Sequence, residues 1–313
     1  MRPAGPLIGA QVVGRGTGKS RAAALSIASN TVLIALKLAA GAITGSVAII
    51  TEAMHSSVDL IASIVAFVSV RQAEKPADDT HPYGHDKFEN LAAAIEALLI
   101  LVGSGVIVFE SVRRLSTAHT EVSSLGVGMA VIAISVVVNI VVSGVLDRRA
   151  KETDSPALEG DAAHLRTDAA TSGAVFVGLV LVQVTGQTWL DPVIALVVAA
   201  AIVIAGVRLL MRASRVLVDE ALPPEELDAV RDAIAAFGPR GVAGYHKLRA
   251  RRAGSRRYVD LHVQFTSGTT LEAAHATAHA LQDAIHEQLR GADVLIHLEP
   301  EGNVHPGTEL RAD

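Results

Sequence analysis

Hydrophobic positions in this chain follow two regimes, with a change near residue 215. Before it, six stretches of mostly apolar residues occupy 22–43, 47–70, 89–112, 124–146, 158–184 and 189–211. Each approaches or exceeds the roughly 20 residues that a helix needs to cross a bilayer. After residue 215 the runs shorten and alternate. Pro223-Pro224-Glu225-Glu226 opens a helix ending near Gly238, with proline first and glycine last as helix termini prefer. Residues 242–251 and 256–266 read as strands joined by Ala253-Gly254-Ser255; in the second, Val259, Leu261, Val263 and Phe265 share one face and Asp260, His262 and Gln264 the other. A helix over 270–290 puts Leu271, Ala274, Ala278, Leu281, Ile285 and Leu289 on one stripe, and a last strand sets Val294, Ile296 and Leu298 against Leu295, His297 and Glu299. The expected fold is a six-helix transmembrane bundle over 21–214 followed by a small α+β domain of order αββαβ over 215–300, with flexible tails at 1–20 and 301–313.

Composition supports the membrane reading: half the residues are hydrophobic, only 19% are charged, and the mean hydropathy is +0.40. The net charge of -5 argues against nucleic acid as a partner. Aromatic residues make up 3%, so Trp189 and Phe109 are among the few interfacial anchors. The first 20 residues lack the apolar core of a cleaved signal. Within them Gly14-Arg15-Gly16-Thr17-Gly18-Lys19-Ser20 misses the phosphate-loop pattern, because Val13 stands where the first glycine belongs. Basic residues alternate between connections. Arg15, Lys19 and Arg21, then Arg71, Lys75 and Lys87, then Arg148, Arg149 and Lys151, then Arg212 and Arg215 fall on one side, against Arg113 and Arg114 on the other. By the positive-inside rule both termini are cytoplasmic, as is the α+β domain.

Ionisable residues interrupt the apolar runs at Lys37, Glu52, His55, Asp59, Glu96, His164, Arg166 and Asp168. Each is costly in lipid and belongs in the bundle interior or against water. His55 and Asp59 stand four apart on one helix face, and His164 and Asp168 repeat the device in another span. Two such helices can bring two nitrogens and two oxygens to one point, a tetrahedral donor set suited to zinc. The chain has no cysteine, so any metal site must use histidine and carboxylates. Four protein ligands leave no open position for an activated water, which favours carriage over catalysis. Both donor types bind metal only when deprotonated, so proton uptake competes with metal and can drive its release. Asp78, His81 and His85 lie in a Pro/Gly-marked connection, either as a second metal site or as a solvated charged loop. A third cluster is His246, His262, His275, His297 and Glu299, in which His297 and Glu299 share one strand face.

The stretches Glu52-Ala53-Met54-His55-Ser56-Ser57-Val58-Asp59, His81-Pro82-Tyr83-Gly84-His85-Asp86-Lys87-Phe88-Glu89 and Asp161-Ala162-Ala163-His164-Leu165-Arg166-Thr167-Asp168 resemble those of the cation diffusion facilitator family, a likeness running from about residue 20 to 300. The resemblance implies a homodimer of six-span subunits, each with a cytosolic metallochaperone-like domain, exchanging cytoplasmic divalent metal for protons by alternating access. It implies a transport site of His55, Asp59, His164 and Asp168, a loop site of Asp78, His81 and His85, and a cytosolic dimer site of His246, His262, His275 and His297, with Glu299 where an aspartate is common. The usual ion for such His/Asp sets is zinc, sometimes cadmium; cobalt, nickel and iron remain open. The expected function is a proton-coupled zinc exporter of a prokaryotic plasma membrane rather than an enzyme. Its rivals are an intramembrane metalloenzyme, for which no His-Glu-x-x-His arrangement occurs, and a membrane metal sensor without transport.

Overall fold

The computed structural model describes residues 13–44, 47–117, 125–187 and 189–302. Two units divide at Ser214 and Arg215. The first holds six long helices, α1 (Val13–Thr44), α2 (Val47–Ala73), α3 (Lys87–Thr117), α4 (Leu125–Thr153), α5 (Pro156–Thr185) and α6 (Leu190–Leu217). By length and composition four segments, Gly18–Ala40, Lys87–Arg113, Ala130–Thr153 and Pro192–Leu217, are apolar enough to cross a membrane unaided among the described residues. The other two helices, α2 and α5, carry Asp59 and the run Asp161, His164, Asp168.

Small residues let these helices approach closely, as packing between helices in lipid demands. Ala22 and Ala23 of α1, Val70 of α2, Ala92 of α3, Leu146 and Ala150 of α4, and Ala157, Leu158, Ala162 and Leu165 of α5 form one buried cluster. A second joins Ala97 and Ile100 of α3 to Ile202 and Leu209 of α6. Val32, Ile61, Val102, Val106, Val137 and Val197 are exposed, giving the bundle the apolar exterior that lipid requires.

The chain departs from the sequence expectation at its start. Residues 1–12 lie outside those described, but α1 begins at Val13, so all of Gly14–Ser20 is helix rather than tail. Lys19 is the reason. Its ammonium is buried and donates to Glu89 Oε1 at 2.8 Å, while Ser155 Oγ, at the start of α5, donates to Glu89 Oε2. A buried cation of this kind holds its segment in the bundle, because leaving Glu89 unpaired would be costly. The other expected tail, from 301, lies outside the described residues beyond 302.

The second unit carries α7 (Pro224–Ala235), a 3-10 turn at Gly238–Arg240, β1 (Val242–Ala253), β2 (Arg256–Phe265), α8 (Leu271–Gln288) and β3 (Ala292–Pro300). β1 pairs antiparallel with β2, and β2 pairs parallel with β3. The alternation read in β2 is realised: Val259, Leu261, Val263 and Phe265 are buried against Ala274, Leu281 and Ile285 of α8 and Val230 and Ile234 of α7. Leu271 is the exception to its expected stripe, 77% exposed at the first position of α8. Thr270 caps that helix, accepting from the Ala273 amide at 3.2 Å. Glu226 accepts from Arg252 at 2.6 Å and from Arg257 at 3.0 and 3.1 Å, tying α7 to the first two strands.

Gly160 of α5 packs directly against α3. A Cβ there would collide with Glu96 Oε2 and stand 3.2 Å from the Ala93 Cα. Gly160→Ala is therefore expected to cost about 1–3 kcal/mol by overpacking, measured as a lowered unfolding midpoint in detergent. Glu96→Ala in the same chain should recover most of the loss but not the part due to Ala93.

Candidate metal centre

The helical spacing read in α5 puts Asp161, His164 and Asp168 on one inward face, with His164 opposite Asp59 of α2. His164 Nε2 lies 3.3 Å from Asp59 Oδ1 and 3.8 Å from Asp168 Oδ2. All three side chains are largely buried, and ligand atoms of the three fall within 4.8 Å of one another. Donors bound about 2.0 Å from a tetrahedral zinc stand roughly 3.3 Å apart, so the spacing suits one ion with little adjustment. Both ring nitrogens of His164 lack a hydrogen-bond partner among the described residues. A buried imidazole in that state is costly, and a cation between it and the carboxylates removes the cost. His55 sits in α2 one turn ahead of Asp59, and its side chain lies outside those described.

Sequence reasoning did not single out what supports this centre. Asp161 Oδ1 accepts from Ser26 Oγ at 3.0 Å and Ser63 Oγ at 3.2 Å, and Asn30 Nδ2 donates to Ser63 Oγ at 2.9 Å. This buried network joins α1, α2 and α5 one turn from His164. Its signal was present as the 161, 164, 168 spacing, which follows one helical face. The centre opens on a cavity of about 200 Å³ whose walls include Asp59, Asp168, Lys37, Ser56, Asn139 and Thr171.

The connection between α2 and α3 forms a second cluster. Asp78 Oδ2 is 3.4 Å from His85 Nε2, and Asp78 Oδ1 is 3.5 Å from His81 Nδ1. The two imidazoles face each other with centroids 4.4 Å apart. Asp78 closes a tight turn, accepting at Oδ1 from the Thr80 hydroxyl at 2.7 Å, the His81 amide at 2.7 Å and the Thr80 amide at 2.9 Å. These donors, the Thr80 hydroxyl foremost, hold its carboxyl down at about 2. Gly84, at φ 86°, supplies the left-handed turn that brings His85 back beneath Asp78.

In the α+β unit, strand register builds the third cluster. His246 pairs with His262 across β1 and β2, and His262 with His297 across β2 and β3, so three imidazoles form one row. Glu299, two residues on from His297, accepts from His246 Nε2 at 2.7 Å and His262 Nδ1 at 2.6 Å. His297 Nε2 stands farther off, 3.6 Å from Glu299 Oε1. His246, His262 and Glu299 are close enough to share an ion. His275 is not brought to them within this chain: it is exposed on α8, its Nε2 3.1 Å from that of His279.

Burial pushes the Glu299 carboxyl up, but hydrogen bonds and charge from His262 and His246 outweigh it and leave it below 4.5. A depressed folded-state value contributes stability that is complete above the unfolded value and lost as pH falls through the folded one. Metal-free parent protein should therefore lose α+β-unit stability on acidification below about pH 4.5 more steeply than Glu299→Gln. The unfolding midpoint measured against pH reads the difference.

Comparison with known proteins identifies the family of the chain. Residues 23–218 match the cation efflux transmembrane domain and residues 222–301 the cytoplasmic domain of cation efflux proteins. An uncharacterised transporter of Synechocystis sp. is 38% identical over 279 residues, covering 89% of each chain. The cation-efflux pump FieF of Escherichia coli is 32% identical over 286 residues, covering 90% of this chain and 92% of that one. Among solved structures, the metal-bound C-terminal domain of the CzcD transporter from Thermotoga maritima aligns at 28% identity over 27% of this chain and all of that one, with a TM-score of 0.24. The chain belongs to the cation efflux, or cation diffusion facilitator, family of multi-pass divalent-metal transporters.

Proposed function

We propose that the protein exports cytoplasmic Zn2+ in exchange for protons, by alternating access of the buried centre to the two sides of the membrane. The observation that carries this reading is the convergence of Asp59 from α2 with His164 and Asp168 from α5 around an imidazole that has no hydrogen-bond partner among the described residues. His55, one turn from Asp59, is the fourth ligand. Mixed nitrogen and carboxylate donors suit zinc, and cadmium after it, better than a hard ion such as magnesium. A saturated tetrahedron binds without activating water, which suits cargo. Release follows from protonation of the same imidazoles and carboxylates, so an inward proton gradient can drive metal outward.

The remaining assignments follow the charge distribution and the family. Basic connections put both termini and residues 215–300 in the cytoplasm of a prokaryotic cell, with the six helices of 21–214 in its plasma membrane. The α+β unit binds metal through His246, His262 and Glu299, and pairs two copies of the chain, with His275 and His297 completing the site in the dimer. Occupied, it favours the transport-competent dimer; Asp78, His81 and His85 hold a further ion at the loop.

Reconstituted vesicles enclosing a zinc indicator test the reading. Under a pH gradient the parent should move zinc, while Asp59→Ala and His164→Ala should each lower flux by more than the roughly 10- to 100-fold typical of losing an outer-shell partner. A folded parent that binds zinc yet moves none under any gradient would instead identify a sensor.

A further inference from the structure

Lys37 is a buried lysine in the C-terminal third of α1, and the transport chemistry described so far makes no use of it. Its Nζ donates to Ser56 Oγ at 2.7 Å, and the residue is 4% exposed. It lines the same cavity of about 200 Å³ as Asp59 and Asp168. Ser56 precedes Asp59 by one turn of α2, so the hydrogen bond fixes the ammonium one helical turn along from the centre, toward the α1–α2 connection. The other polar walls of the cavity among the described residues, Ser56, Asn30, Asn139, Thr171 and Ser172, carry no charge. Among the described residues, Lys37 is thus a cationic side chain on the wall of a chamber that also presents the ligand carboxylates Asp59 and Asp168.

We propose that Lys37 is a tethered counter-cation of the transport site, an inference that rests on the metal-carrying role of Asp59, His164 and Asp168. In the empty site, two carboxylates within reach of one imidazole repel each other in a medium of low dielectric, and a fixed positive charge on the same wall offsets that repulsion. In the loaded site the same charge faces a divalent cation and repels it. Lys37 therefore stabilises the unloaded centre and weakens the loaded one. A carrier gains from this in two ways: the ion leaves faster, and the empty site returns with its charge partly balanced. The lysine acts through the field in the cavity and is not a ligand.

The test compares Lys37→Gln, which keeps a donor for Ser56 without the charge, with Lys37→Arg, which keeps the charge. Zn2+ binding is measured on full-length protein in detergent, taking only the component that His164→Ala removes, and vesicle flux is measured alongside. Lys37→Gln should bind zinc at least about tenfold more tightly, as expected for removing a nearby like charge, with a lower KM and a lower maximal flux. Lys37→Arg should stay close to the parent in all three. Unchanged affinity in Lys37→Gln, or equal effects in both variants, would overturn the proposal while leaving the metal-carrying reading intact. Absence of any His164-dependent component in the parent would overturn that reading and this inference together. Should Lys37→Gln not fold, Lys37→Met serves as the second neutral variant, and failure of both to fold would mark the lysine as purely structural and overturn the proposal.

Discussion

A carboxylate inside a lipid-embedded bundle is costly without a counter-charge or hydrogen-bond donors, and the first unit meets that demand at several positions, Glu96, with no hydrogen-bond partner among the described residues, being the exception. Glu89 is met by Lys19 and Ser155. Asp161 is met by two serine hydroxyls from two helices. Asp59 and Asp168 are met by His164, whose ring they approach without forming a regular hydrogen bond. The first is closed at both oxygens and the second at Oδ1 only, Asp161 Oδ2 having no hydrogen-bond partner among the described residues, and both hold the helices together. The third is open, and a position left open among buried charges is a place for an ion.

The same physics explains why the centre was legible in sequence and its support was not. Helical period alone puts His55 with Asp59 and His164 with Asp168, and their cost in lipid makes two such pairs hard to read as accident. Six spans and the αββαβ order were visible for a similar reason, since apolar runs and period-two alternation report directly on which face is buried. Lys19 looked like a basic tail residue because nothing near it in sequence announces Glu89, seventy positions on. Ser26 and Ser63 are ordinary small residues until Asp161 is placed beside them. Leu271 fits the stripe of α8 by period, yet stands at the helix's first position and is exposed. Period gives direction around an axis and says nothing of what lies opposite.

His275 makes the complementary point. It was grouped with the strand histidines, yet within one chain it stands on α8 beside His279. A row formed by register across neighbouring strands can be inferred from alternation, because partners on adjacent strands share a face. A residue on a helix has no such constraint, and within this chain His275 stands apart from the row.

Glu299 touches histidines on two different strands, and one of them, His246, belongs to β1, which is separated from β3 by the whole width of β2. The two outer strands of the sheet are therefore laced through a single carboxylate over the top of the middle one. β3 cannot peel away while β1 stays seated, nor slip by one residue without swinging Glu299 to the opposite face and presenting Leu298 in its place. Fraying at either margin is thus felt at the other.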